Sequence, residues 1–548
     1  MYKKRLSSLL LFFNFVFIVL LFRLFYFQII EGPSLSKSAS IQRITDSNVE
    51  KPRGNIVDRN YIPFTNRSKK FSLVLKPLYL KENEENLLKI CEVLELDFEE
   101  MKKDLTDKRG PILIECDEKA KETVLSLNIP GVSSISSLKR YDENSLARHV
   151  VGYLNKADRT GEVGIEKYYE DVLSYDQKNS VGVVTDAKRN PVEGLGYRMI
   201  RLEGNSKKLD VKLTLDYHIQ KITEEVMERN GIKGAVVIED VVSGDIVAMA
   251  SKPDFDQNNV KDYLDSADNE LFNRAVASYN LGSIFKIIVS ALMFEQNIDT
   301  DHYFYCPGYI YVGNKMFKCS SYGNGGHGEV DYKKAFALSC NSYFIDMGLK
   351  IGYRNLVETA QRFGLGEVTG IKDQGIHESS GNLPDPYRYY SGGDIANISI
   401  GQGEIMATPI QVANVVATVA NGGIRNKVNI VDSIIDENGN KVRDLRNKDG
   451  ERIISKDISD AIKSMMEEVT IAGTGTRASL EKYGGAAGKT GSAETSRSDI
   501  VHAWFAGYFP KNNPKYSMAV FVENGQNGGR VAAPIFAEIA EQIMEKGW

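Results

Sequence analysis

The chain has 548 residues, 42% of them apolar and 26% charged, with 68 basic side chains against 73 acidic. That length exceeds a single hydrophobic core and predicts two or three domains. A net charge of −5 gives no electrostatic footing for nucleic acid, and six histidines are a thin supply for imidazole catalysis.

At the N-terminus, Lys3, Lys4 and Arg5 precede an apolar run from Leu6 to Phe22, broken only by Ser7, Ser8 and Asn14. After Arg23 the run resumes through Ile30, long enough to span a bilayer with Arg23 near the interface. No small-residue cleavage site follows, so the segment reads as an uncleaved anchor over 1–30. The basic tip predicts a cytoplasmic N-terminus, with everything after residue 31 outside the cell membrane. No second run of this length follows, which makes a single-pass protein with an extracytoplasmic body. Five cysteines lie in that body, Cys91, Cys116, Cys306, Cys319 and Cys340, and the odd number argues against a full disulfide framework.

Residues 31–205 mix short elements. Ser72–Leu75 reads as a strand and Glu82–Leu96 as an amphipathic helix, while Gly161–Glu166 opens a short helix. No nucleophile, base and oxyanion donors group there, so this stretch is expected to be an elongated, non-catalytic module. From 206 onwards, Leu213–Asp216 reads as a strand leading into a helix over Tyr217–Arg229. Gly234–Val241 and Ile246–Ala250 flank the turn residues Ser243-Gly244-Asp245 as a hairpin. Ala486–Thr495, His502–Phe509 and Tyr516–Val522 read as three late strands, and Pro534–Lys546 as a closing helix with proline in its first turn. Hairpin, helical middle, three strands and last helix give an α+β domain. Its expected form is a five-stranded antiparallel sheet with helices on both faces and an all-helical subdomain.

Between hairpin and late strands lies Gly282-Ser283-Ile284-Phe285-Lys286, followed by the apolar run Ile287–Phe294. Apolar residues on every side of that helix predict burial all round. Lys286 stands alone in it, and desolvation lowers a lysine towards the range of a usable base. Ser283 and Lys286, three apart, share a helix face, which is how a Ser–Lys nucleophile is built. An N-cap serine with a snorkelling lysine has the same spacing. Ser339-Cys340-Asn341 interrupts two helical stretches, Tyr332–Leu338 and Ser342–Ile351. It offers either a helix cap or a hydroxyl for proton relay and an amide for recognition. Lys489-Thr490-Gly491-Ser492, on the first late strand, can present a cation and hydroxyls to a carboxylate, with Gly491 allowing close backbone approach.

S-x-x-K, S-D-N and K-T-G in this order form the motif set of penicillin-binding proteins and class A β-lactamases, and here the middle motif is S-C-N, which keeps the two outer side chains. The chain resembles the class B penicillin-binding proteins, single-pass D,D-transpeptidases of peptidoglycan synthesis, over nearly its whole length. Arg53–Asn60 looks like the family's R-G-x-I-x-D-R-N segment, Gly161–Glu166 its G-x-x-G-I-E, and Ala250–Asp256 a segment before the nucleophile. Ser399-Ile400-Gly401-Gln402-Gly403, Thr408-Pro409 and Gly473–Thr476 match later segments. The resemblance implies three parts: an anchor over 1–30, an N-terminal pedestal of the dimerisation type over 31–205, and a penicillin-binding transpeptidase domain over 206–548. It implies Ser283 as nucleophile, Lys286 as general base, Ser339 as proton shuttle, and Asn341 as the group binding the acyl-side amide. Lys489 and Thr490, beside Gly491 and Ser492, would hold the terminal carboxylate, and the backbone N–H groups of Ser283 and Ser492 would form the oxyanion hole. The implied ligands are peptidoglycan stem peptides and β-lactams, the implied partner is a SEDS-type glycosyltransferase in the membrane, and the chemistry needs no cofactor. A D,D-carboxypeptidase or β-lactamase fits the module and anchor less well. A penicillin-binding sensor or a scaffold recruiting a glycan polymerase would not need all five catalytic side chains.

Cys306, Cys319 and His327 suggest a second site. Two soft ligands and an imidazole suit a structural Zn²⁺ lacking one ligand, for which Asp301 is favoured over its neighbour His302. A Cys306–Cys319 disulfide and a pair of free thiols are the competing readings. Some members of the family resemble the chain here and carry zinc near the active site.

Overall fold

The computed structural model describes residues 2–32, 53–107, 111–175, 178–183, 197–202, 207–298, 303–495 and 500–547. The chain divides into two compact units, one of Met1–Pro52, Ser68–Lys139 and Tyr175–Ser206, the other of Arg53–Arg67, Arg140–Ser174 and Lys207–Trp548.

The first unit begins with a helix over Tyr2–Phe25 that continues as a wider turn over Tyr26–Ile30. The 26 residues Arg5–Ile30 are long and apolar enough to cross a membrane, and none of the span is buried in protein. Two of its polar members have local partners. Asn14 Nδ2 donates to the Leu10 carbonyl at 2.9 Å, and the Arg23 guanidinium lies 5.7 Å from the Phe27 ring centroid. The same unit holds a three-stranded antiparallel sheet with Ser68–Leu75 in the centre between Ile112–Cys116 and Val132–Lys139. Leu73 and Leu75 pack from it onto Leu87, Ile90, Leu105 and Val124 of three short helices. The helix expected over Glu82–Leu96 runs from Glu84 to Leu94, with Asn83 Oδ1 capping Asn86 N.

The second unit is organised on five antiparallel strands, β1 Gly234–Asp240, β2 Ile246–Lys252, β3 Ala487–Glu494, β4 Val501–Phe509 and β5 Tyr516–Val522. Their order is β3-β4-β5-β1-β2, so the K-T-G strand is an edge. The period of two divides the sheet cleanly. Ala235, Val237 and Phe521 face one core, and Val236, Ile238 and Val520 face the other. Helices α1 Tyr217–Arg229 and α7 Ala533–Glu545 cover the second face. The first is covered by α2 Lys286–Glu295, α5 Pro409–Ala420 and α6 Lys456–Ile471, with α3 Tyr332–Ala337 and α4 Asn341–Ile351 beside α2. This is the expected α+β arrangement. One boundary moves: the strand before α1 is Leu209–Leu213, not Leu213–Asp216. Asp216 instead caps α1 through His218 N and Ile219 N, a role that takes it out of any ladder.

Two N-terminal segments belong to this unit. Arg53 pairs with Glu166 at 3.0 Å, Arg140 with its other oxygen at 2.7 Å, and the Tyr141 hydroxyl donates to it at 2.8 Å. Glu166 is fully buried, so removing either arginine leaves a desolvated charge short of partners.

Candidate active site

Gly282–Phe285 forms one tight turn that runs into α2. Ser283 caps nothing; the position before the turn is Leu281. Gly282 takes φ +54, and a Cβ there would lie 2.6 Å from the Ser492 carbonyl oxygen. The turn is thus seated against the open edge of β3 at Ser492, on glycine's freedom alone. Behind it, Gly282 N donates to the Gly401 carbonyl at 2.9 Å. Gly401 takes φ +71 and has no room for a side chain, since a Cβ would stand 1.9 Å from the Gly282 oxygen.

From Lys286 to Met293 every residue is buried. Lys286 Nζ donates to the Ser339 carbonyl at 2.8 Å, to Ser339 Oγ at 3.2 Å and to Asn341 Oδ1 at 2.8 Å. These are three neutral acceptors, so an ammonium has all its protons engaged and the amine, once deprotonated, keeps a lone pair. Burial pulls the group down to about 8. Ser339 sits at φ +57, unusual for a residue with a side chain, and α4 begins beyond it with Cys340 at the cap position making no side-chain cap. The S-C-N segment is therefore shaped as a loop facing Lys286 rather than as a helix cap.

On β3, Lys489 is fully buried, and among the described residues its Nζ makes one hydrogen bond, to the Thr490 carbonyl at 3.2 Å, while lying 5.4 Å from the Phe336 ring centroid. Burial, then repulsion from Lys286, holds it well below the ordinary lysine value. A buried cation with one bond and no carboxylate among the described residues is poorly compensated. Thr490 Oγ1 meets Thr474 Oγ1 at 2.6 Å, and Thr474 N donates to the Ala337 carbonyl at 3.0 Å. The Gly473–Thr476 segment thereby joins α3 to the K-T-G strand. Thr474 carried no role in the sequence reading, although its segment was visible. Ser492 is exposed on the edge, and Gly491 is tightly enclosed, a Cβ meeting Ile284, Leu281 and Trp504 at 3.0 Å each.

Cys306, Cys319 and His327 do come together, and among the described residues the group beside them is Cys340, with all four candidate ligand atoms within 4.8 Å of one another. Asp301 and His302 lie outside the described residues. No disulfide is present, all five cysteines being free. Cys319 Sγ lies 3.9 Å from Cys340 Sγ and 3.5 Å from His327 Nδ1, and Cys306 Sγ lies 3.7 Å from the same nitrogen. Ligands at about 2.3 Å from a tetrahedral ion are about 3.8 Å apart, so the set fits zinc. Hydrogen bonds from Cys340 and His327 hold the Cys319 thiol far below its ordinary value, and the same proximity pushes Cys340 up. Asn341 N also donates to Cys319 Sγ at 3.3 Å, so the cluster is joined to the S-C-N loop by two adjacent residues.

The chain matches the family model "Penicillin binding protein transpeptidase domain" over residues 234–541 and "Penicillin-binding Protein dimerisation domain" over 48–196. It is 32% identical to Stage V sporulation protein D of Bacillus subtilis across 99% of this chain and 85% of that protein. It is 28% identical to the peptidoglycan D,D-transpeptidase MrdA of Acinetobacter baumannii across 95% and 85%. Among solved structures, a chain from a peptidoglycan synthase complex coordinating polymerization and crosslinking aligns with TM-score 0.72 and 25% identity, covering 98% of this chain and 97% of that one. PBP2 of Helicobacter pylori shares the fold with TM-score 0.69 and 24% identity, over 91% and 99%. With its N-terminal apolar helix long enough to cross a membrane, its dimerisation module and its transpeptidase domain, the chain belongs to the class B penicillin-binding proteins and is a serine-type peptidoglycan D,D-transpeptidase.

Proposed function

We propose that Ser283 is the nucleophile of this transpeptidase. Its Oγ attacks the penultimate D-Ala carbonyl of a stem peptide while Lys286 takes the hydroxyl proton. The oxyanion is held by the backbone N–H groups of Ser283 and Ser492, donors that contribute about 3–4 kcal/mol each. Collapse breaks the peptide bond, Ser339 relays a proton to the leaving amine, and terminal D-Ala departs. The amine of a neighbouring stem then attacks the ester, returning Ser283 and forming the cross-link. Asn341 receives the acyl-side amide, while Lys489, with Thr490, Gly491 and Ser492, receives the terminal carboxylate. The observation that carries this assignment is the pair of fully buried lysines, Lys286 and Lys489, neither matched by a carboxylate among the described residues. Ser283→Ala should abolish covalent labelling by a fluorescent penicillin with the thermal midpoint preserved. Retained labelling would move the nucleophile elsewhere.

In this reading 1–30 is the anchor with a cytoplasmic tip, 31–205 the pedestal and 206–548 the catalytic domain. The transpeptidase works beside a SEDS-type glycosyltransferase, supported by the likeness to a chain from a synthase complex that couples polymerization to crosslinking.

Cys306, Cys319, His327 and Cys340 would hold a structural zinc. Bound there, the ion crosslinks the loop of Ser339 and Asn341 to the segment 306–327 and takes no part in acyl transfer. The full-length protein in detergent should carry about one zinc per chain, falling sharply in Cys340→Ser. Metal-free protein with every thiol titratable would refute the site.

A further inference from the structure

Two short strands, Tyr309–Val312 and Lys315–Lys318, form a hairpin that pairs Tyr309 with Lys318, Ile310 with Phe317 and Tyr311 with Met316. Paired residues share a face, and the period of two sorts the hairpin into two sides. Ile310, Val312 and Phe317 pack inward on Ile345, Leu349 and Ala396. Tyr309 and Tyr311 lie on the opposite side, with Tyr311 61% exposed. Their rings meet edge to face at 5.6 Å, and Tyr309 meets Tyr322 in the same manner at 6.1 Å. Lys318 Nζ stands 4.8 Å from the Tyr322 ring centroid. The core does not need these rings, and they are ordered against one another rather than scattered.

This face is continuous with the catalytic cleft. The carbonyl of Lys318 accepts from Asn341 Nδ2 at 3.2 Å, so the hairpin's second strand ends on the amide assigned to the acyl side of the donor stem. We propose that Tyr309, Tyr311 and Tyr322 form a platform that stacks the sugar rings of the donor glycan strand, with Lys318 meeting a carboxylate of its stem. The proposal rests on the roles given above to Ser283 and Asn341. Sugar rings present apolar C–H faces that lie flat on aromatic rings, while their hydroxyls stay in water, and a tyrosine with a wet hydroxyl suits both. Size favours a saccharide over a protein partner. Three tyrosines of about 150–250 Å² each, all part-covered, fall short of the roughly 800 Å² a side of a stable protein interface.

The test uses full-length protein in detergent and two donors, a disaccharide-pentapeptide and the same pentapeptide without sugar. Active sites are counted by penicillin titration, so every rate refers to folded enzyme. Wild type should turn over the sugar-bearing donor with about tenfold higher kcat/KM. The double variant Tyr309→Ala/Tyr311→Ala should bring the two donors level, and Tyr311→Phe should keep the difference. Equal rates for the two donors in wild type would overturn the proposal and leave the face to a protein partner. An undiminished preference in the double alanine variant, or its loss in Tyr311→Phe, would overturn stacking. Wild type that penicillin cannot titrate at Ser283 would sink the underlying assignment instead.

Discussion

Gly401 offers a sharp test of how Ser283, the proposed nucleophile, is held, because its effect can be worked from the backbone. An alanine there pays the left-handed strain of φ +71, about 1–2 kcal/mol. It also places a methyl 1.9 Å from the Gly282 oxygen, 2.7 Å from its carbon and 3.0 Å from its nitrogen. Restoring an ordinary contact of about 3.5 Å displaces the Gly282 peptide by more than about 1 Å. Ser283 and its N–H ride on that peptide, and a displacement of this size costs about a hundredfold in rate. Gly403 is the matched control. It has φ +87, but the nearest atom to its Cβ is Asn397 Cβ at 3.6 Å, so alanine there pays strain without collision. Both variants should melt a few degrees early in a thermal scan. Acylation by a fluorescent penicillin, measured as a second-order rate constant, should fall about a hundredfold in Gly401→Ala and only a few-fold in Gly403→Ala. Equal rates in two folded variants would refute the idea that Gly401 positions the nucleophile by contact.

Lys489→Met removes a desolvated amine with one hydrogen bond among the described residues, so it should raise the thermal midpoint while slowing penicillin acylation by roughly 10- to 100-fold through loss of the hydrogen bond the protonated amine would give the ligand's carboxylate. A drop in both quantities would make Lys489 a structural residue. Glu239 is fully buried, with Oε1 accepting from Asn414 Nδ2 at 2.8 Å and Oε2 unpartnered, and burial pushes it up to about 8. The unfolded chain loses this proton at the ordinary carboxylate value and the folded chain holds it. The stabilising contribution is therefore complete below pH 4.5 and is lost as pH rises to about 8, a span of the order of 5 kcal/mol. Glu239→Gln should gain stability relative to wild type steadily from pH 5 to 8 in parallel melts, and a pH-independent difference would contradict a buried, protonated acid.

Sequence legibility follows the range of the physics. Turn chemistry at residues 243–245 placed the hairpin of β1 and β2, because a turn is local. The three motifs, in order, identified Ser283, Lys286, Ser339, Asn341 and Lys489 as candidates, and the fold brings Lys286, Ser339 and Asn341 into direct contact. At the cysteine cluster, chain proximity favoured Asp301, which lies outside the described residues, while among the described residues the group beside Cys306, Cys319 and His327 is Cys340, delivered by the loop before α4. A cysteine inside a catalytic motif, in a chain with three candidate ligands upstream, was the available signal. Gly401 was visible as part of a segment, but its role depends on a close approach to Gly282, a contact across more than a hundred residues that no local pattern encodes. The same holds for Arg53 and Glu166, 113 residues apart.

The two buried lysines also constrain each other. Each sits in a fully desolvated position, and Lys286 is itself one cause of the depression at Lys489. Two ammonium groups in one dry cleft repel, so the empty site favours having one of them neutral. A stem peptide arrives with a single terminal carboxylate, and in the proposed reading the K-T-G strand offers that charge one partner, Lys489. On the roles proposed above, binding would secure the proton on Lys489 and leave Lys286, whose Nζ protons otherwise go to three neutral oxygens, as the amine that accepts from Ser283. In this arrangement the substrate's own charge selects which lysine is the base. A donor lacking the terminal carboxylate should therefore lose acylation rate, kcat, as well as affinity. A loss confined to KM would show that the carboxylate contributes binding alone.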